Sequence, residues 1–249
     1  MKLGVIKAVG RCYGFGLRHL PVFYLLCLLV GAPRYLLSET AKPTWQVSVV
    51  VSFFEILLAA MVTGIMVWTM IRDRRGESWT VVPSIGDAFG RAPMILGVAF
   101  VIAGVSLGFG GLGYYLGTLH PFAAAAPSVV MFVLKIIFCV AIPCAAVSKG
   151  GVFDTLWQSA RLSAGSRLRI LAVYALTLLP FGIIAVIAVA LLPADARADL
   201  QAGNLPMLWI LLGGSIGSAF LYPVPVAIHE QLAELDDRLP LGKTAAVFD

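Results

Sequence analysis

Long apolar runs separated by short polar, basic stretches dominate the chain. Six of the runs, at about residues 20–37, 45–71, 93–118, 122–147, 168–193 and 205–226, reach or approach the roughly 20 residues a helix needs to cross hydrocarbon. They lack the period-two alternation of a barrel strand, and in lipid the backbone must satisfy its own hydrogen bonds, so all six are predicted as helices. The predicted fold class is all-α, a polytopic membrane bundle of six transmembrane helices. Its membrane domain is expected over residues 1–228, with a short tail over 229–249.

The polar stretches carry a helical pattern of their own. In "GVFDTLWQSARLSAGSRLRI", residues 151–170, Val152, Phe153, Leu156, Trp157 and Ala160 share one helix face, while Asp154, Gln158 and Arg161 occupy the other. That spacing predicts a helix lying in the membrane interface, with Trp157 at headgroup depth and Arg161, Arg167 and Arg169 toward anionic phosphates. The "SAG" at 163–165 then turns the chain into the next span. Residues 3–18 repeat the arrangement, with Leu3, Ile6, Val9, Tyr13 and Leu17 on one face and Lys7, Arg11 and Arg18 elsewhere. A shorter version, "VPSIGDAFGRAP" at 82–93, sets Ile85 and Phe89 four apart before Arg91. Ile6, Ile85 and Phe153 are 79 and 68 residues apart, which suggests three units of interfacial helix plus transmembrane hairpin.

Charge sets the orientation. Of the 18 Lys and Arg residues, 14 fall in the N-terminal segment, the 72–92 loop, the 148–169 segment and the tail. By the positive-inside rule both termini are expected in the cytoplasm. The start of the chain, basic residues followed by "LPVFYLLCLLVGA", also resembles a signal peptide, but no small-x-small cleavage site follows directly and a retained span is expected. In a chain that is 60% hydrophobic and 12% charged, a net charge of +5 speaks for topology and not for nucleic acid. Cys12, Cys27, Cys139 and Cys144 form no CxxC pair and read as small buried hydrophobes.

Candidate chemistry is sparse. His19, His120 and His229 fall on both sides of the membrane and cannot converge on one metal, and no HExxH, GxSxG or GxxxxGK[ST] motif occurs. The acidic positions Glu230, Glu234, Asp236 and Asp237 read as a solvated face. No enzyme activity, metal or cofactor is expected. Glu55 and Lys135 stand out because an ionisable group near a helix centre costs roughly 2.5 to 3.5 kcal/mol on insertion scales. Their similar depths suggest an ion pair between the second and fourth spans. Gly104 with Gly108, and Gly213 with Gly217, form GxxxG pairs expected to bring helices together. Pro180 and the "PVP" at 223–225 are expected to kink or loosen their spans.

The stretch "GVFDTLWQSARLSAGSRLRILAVYALTLL" before the fifth span and "VAIHEQLAEL" after the sixth resemble the membrane domain attached to some bacterial glycerophosphodiester phosphodiesterases, and related six-span proteins of uncertain function. His229 departs from that pattern, standing where an aromatic is expected. In those enzymes the chemistry belongs to a separate soluble barrel of about 250 residues. The resemblance therefore implies a membrane platform without diesterase activity, in a bacterial plasma membrane. Two functions stay open: a noncatalytic scaffold or accessory subunit on anionic inner-leaflet lipid, with a protein partner or a second copy, and a small transporter or channel subunit using Glu55 and Lys135. Thr63, Ser106 and Ser128 are too scattered to line a path, which favours the scaffold.

Overall fold

A computed structural model describes residues 3–40, 44–77, 81–120, 125–191 and 207–235. Secondary structure among them is helical, with no strand. In chain order the helices are α1 (Val5–Arg18), α2 (Leu20–Thr40), α3 (Trp45–Arg74), α4 (Val81–Gly90), α5 (Ala92–Leu119) and α6 (Ala125–Ile137). They continue as α7 (Ala141–Val147), α8 (Val152–Ser163), α9 (Arg167–Leu191), α10 (Met207–Leu221) and α11 (Pro223–Leu235). Six segments are long and apolar enough to cross a membrane: Leu20–Leu37, Gln46–Arg74, Ala92–Thr118, Ala125–Val147, Arg167–Leu191 and Leu211–Glu234. The chain is a multi-pass membrane protein.

Local chemistry fixes several helix ends. Thr44 caps α3, its Oγ1 accepting the Val47 N–H at 3.5 Å. Arg72 and Arg74 fill the last turn of α3, where positive charge complements the helix dipole. Asp154, in the first turn of α8, accepts the Gly151 N–H at 3.1 Å. Gly165 adopts φ of 78°, a left-handed conformation that lets the chain turn sharply from α8 into α9.

Two spans are broken. The fourth is interrupted at 138–140, just before Pro143, which has no N–H to give the Cys139 carbonyl. The sixth is interrupted at Tyr222, where Pro223 and Pro225 begin α11. Pro180, by contrast, sits inside a continuous α9. The break in the sixth span corrects the expected domain end at residue 228. Residues 229–235 belong to α11, not to a tail, and every residue from 223 to 233 except Pro225 is buried. Asp236, Asp237 and the rest of the expected tail lie outside the described residues.

The core is concentrated at one end of the bundle, the end that carries α1, α4 and α8. It is built from the last half of α3 (Met66, Val67), the first half of α5 (Ile95, Val98), α7, and the start of α9 (Ile170, Val173). Toward the other end the helices expose their apolar side chains, and residues 182–191 of α9 are exposed on every face. Lipid gives apolar side chains no reason to leave it, so helices pack where small residues allow close approach. The buried set is accordingly rich in alanine, among them Ala60, Ala99, Ala103, Ala145, Ala146, Ala219 and Ala227.

The close glycine contacts are not the GxxxG pairs. A Cβ added at Gly104, Gly108, Gly213 or Gly217 would meet nothing within 4 Å, so these faces turn away from neighbouring helices. GxxxG spacing puts two glycines on one face but does not determine what that face meets. The tight positions are Gly31, where a Cβ would lie 2.6 Å from Leu211 Cδ1, Gly64, 2.7 Å from Ile95 Cδ1, and Gly97, 2.9 Å from Val152 Cγ2. Gly64→Val is predicted to destabilise the protein by about 1 to 3 kcal/mol through overpacking. Gly104→Ala is expected to be no less stable than the parent. Mixed-micelle unfolding titrations of both variants check this.

Candidate functional site

The charged groups converge at the packed end of the bundle, on α11. Glu230 is only 2% exposed, yet it is charge-paired from two sides. Arg11 Nη1 of α1 reaches its Oε2 at 3.2 Å, and Arg74 at the end of α3 pairs with its other oxygen. One turn on, Glu234 receives Arg11 Nη2 at 3.0 Å, Arg74 Nη1 at 3.2 Å and Lys7 Nζ at 3.7 Å. Gln231 accepts the Gly4 N–H at 3.2 Å. Spacing of four residues puts Glu230 and Glu234 on one face of α11, where a single guanidinium can bridge them.

Further pairs tie the short helices to the spans. Arg18 donates to both oxygens of Asp73 at 2.7 Å, joining α1 to α3. His19 lies 4.0 Å from the same carboxylate and packs between Phe15 and Phe23. Burial pushes its imidazole below the ordinary value, against the upward pull of Asp73. Arg72 bridges Glu77 at 2.6 Å and Asp87 at 2.8 Å, joining α3 to α4.

The three short helices α1, α4 and α8 each bury a row of small residues and expose a large apolar side chain beside it. Ala8, Cys12 and Gly16 in α1, Ser84 and Ala88 in α4, and Thr155, Ser159 and Ser163 in α8 recur every four residues on the buried face. Two positions before the first of each set, Ile6, Val82 and Phe153 are 84%, 72% and 78% exposed. Phe89 and Trp157 are also largely exposed. The buried hydroxyls serve the broken fourth span: Ser159 and Ser163 donate to the Ile137 carbonyl at 3.3 and 2.9 Å. Cys12 serves the sixth in the same way, its Sγ donating to the Phe220 carbonyl at 3.1 Å. Burial raises the Cys12 thiol to about 12, so it stays protonated and able to donate.

These contacts correct part of the expected set of lipid-facing cations. Arg11 is turned inward onto Glu230 and Glu234, and Arg169 donates to the Leu3 carbonyl at 2.9 Å. Arg91 reaches the Ser148 carbonyl at 3.4 Å. Lys7 and Arg18 are paired yet keep most of their side chains exposed, at 64% and 65%. Arg161 and Arg167 are exposed beside the equally exposed Trp157. A buried carboxylate draws in the nearest arginines, and sequence spacing on α1 could not reveal it.

Glu55 and Lys135 do not meet. Glu55 pairs with Arg34 of α2 at 2.7 Å, and Arg34 also donates to Ser52 at 3.1 Å. This pair lines a cavity of about 350 Å³ between α2, α3 and α10. Similar depth in two spans fixes height but not the direction around the bundle, and α2 lies nearer to Glu55 than α6 does. Lys135 stands at the middle of the Ala125–Val147 span and lines other cavities, between α5, α6, α8 and α9.

No family model, curated protein or solved structure matches the chain. Its site is therefore read from its own geometry. Among the described residues no group of three or more His, Cys, Asp and Glu could hold a metal ion. Glu230, solvated in the sequence reading, is buried against arginine, whereas Glu234 is paired with arginine and still exposed. The continuing helical pattern of Ala227, Ile228 and Leu232, with Glu230 and Glu234 four apart, is the signal that could have found them.

A double-mutant cycle on Arg34 and Glu55 in mixed micelles is predicted to give a coupling of about 0.5 to 3 kcal/mol. The cycle on Glu55 and Lys135 is predicted to give none, with the two losses adding.

Proposed function

We propose that the protein is a noncatalytic membrane platform, a scaffold or accessory subunit whose packed end lies at the inner face of a bacterial plasma membrane. One observation carries this reading. The packed end presents large apolar side chains, Ile6, Val82, Phe89, Phe153 and Trp157, outward from helices whose small faces are fastened to the bundle. Such helices suit the headgroup boundary, with Phe153 toward the acyl region, Trp157 at headgroup depth and Arg161 and Arg167 at the phosphates. The excess of Lys and Arg at this end supports a cytoplasmic placement. The shared order of short helix and paired spans, with small buried residues four apart, supports three related units, in which the exposed Val82, and not the expected Ile85, matches Ile6 and Phe153. The resemblance to the membrane domain of bacterial glycerophosphodiester phosphodiesterases points the same way.

A passage lined by Glu55 and Lys135 has less support. The two line different cavities, and Glu55 is neutralised by Arg34. The breaks in the fourth and sixth spans have the look of hinges. Their freed carbonyls are held by Ser159, Ser163 and Cys12, which favours a fixed platform.

Spin labels on Phe153→Cys and Asp154→Cys in nanodiscs with anionic lipid test the placement of α8. The label at 153 is expected to collide with oxygen dissolved in lipid, and the label at 154 with a water-soluble relaxant. Equal access of both labels to the water-soluble relaxant would mean that α8 stands in solvent, and the platform reading would fall.

A further inference from the structure

Lys135 lies on the seam of two cavities. One, of about 660 Å³, reaches toward Leu156 of α8 and Tyr174 of α9; the other, of about 500 Å³, reaches toward Tyr114 of α5 and Pro127 of α6. The two share Ser106, Met131, Phe132 and Lys135 as walls, so they adjoin along α5 as two parts of one groove-shaped face. From Val101 to Tyr114 along α5 that groove is about 20 Å long, longer than the roughly 15 Å hydrocarbon depth of one leaflet. Among the described residues, the polar side chains of the larger cavity are Ser106, Lys135 and Tyr174, and its other walls are apolar. Its volume falls in the roughly 300 to 1,000 Å³ range of sites that enclose small ligands.

The charge is what asks for an occupant. Among the described residues Lys135 has no carboxylate within ion-pair distance. At mid-span its ammonium is too deep to reach water at either surface by stretching alone. A small hydrated anion would lose its water to apolar walls.

We infer that the groove binds a single-chain anionic amphiphile drawn from the bilayer, its carboxylate or phosphate head on Lys135 and Ser106 and its chain along the apolar walls. The site rests on neither the platform reading nor the passage reading. The head supplies the negative charge that Lys135 lacks among the described residues, and the chain lies along apolar walls such as Val105, Phe132 and Leu178 that open toward the bilayer.

The test is equilibrium binding of a fluorescent polyene fatty acid, and of the alcohol with the same chain, to the purified full chain in detergent. The parent is expected to bind the acid saturably, one per chain, with displacement by an unlabelled fatty acid. Lys135→Met is expected to weaken the acid by about tenfold or more while leaving alcohol binding unchanged. Lys135→Arg is expected to retain the acid. Thermal unfolding confirms that the variants fold, as removing a mid-span charge should allow. Equal affinity of parent and Lys135→Met for the acid, equal binding of acid and alcohol to the parent, or no saturable binding would each overturn the proposal.

Discussion

The fold depends on one buried carboxylate. Glu230 lies inside the packed end of the bundle, and a charge there is tolerable only when paired on both oxygens. Arg11 and Arg74 provide those pairs. They come from the first and third helices, while Glu230 comes from the last described one. The pairing therefore joins segments that sequence separates by more than 150 residues, and it does so where α11 already touches α1, α3, α7, α8, α9 and α10. Around that hub the apolar core is dense. Away from it the helices splay, expose apolar side chains and leave the cavities.

Span breaks and short helices are two halves of one solution. A proline-interrupted helix in a membrane frees carbonyls that need donors. The short helices supply them, Ser159 and Ser163 for the fourth span and Cys12 for the sixth. This explains why the segment 151–170 is so polar between two apolar runs. Its arginines and Trp157 account for the outward side, but its serines are turned inward, toward backbone that would otherwise be unsatisfied.

The architecture was legible from hydropathy because crossing hydrocarbon demands about 20 apolar residues whatever the partners. The turn at 163–165 and the break at 223–225 were legible because glycine and proline act locally. Contacts between spans were not. Glu55 found Arg34 near the end of α2, and the GxxxG faces of α5 and α10 found open space. Depth and spacing are one-dimensional, whereas partners are set by rotation about each helix axis. Glu230 was missed for a related reason: a charged segment after an apolar run reads as solvated unless the arginines that meet it are known.

Glu230 fastens the last described helix to α1 and α3, and a double-mutant cycle measures that fastening. Stability in mixed micelles would be measured for Glu230→Gln, Arg74→Gln and the double variant. Glu230→Gln is predicted to lose about 1.5 to 3 kcal/mol, because Arg11 and Arg74 keep Glu234 as a partner, with a coupling of about 1 to 3 kcal/mol in the double variant. Losses below about 0.5 kcal/mol that simply add would show that α11 is held by apolar packing alone.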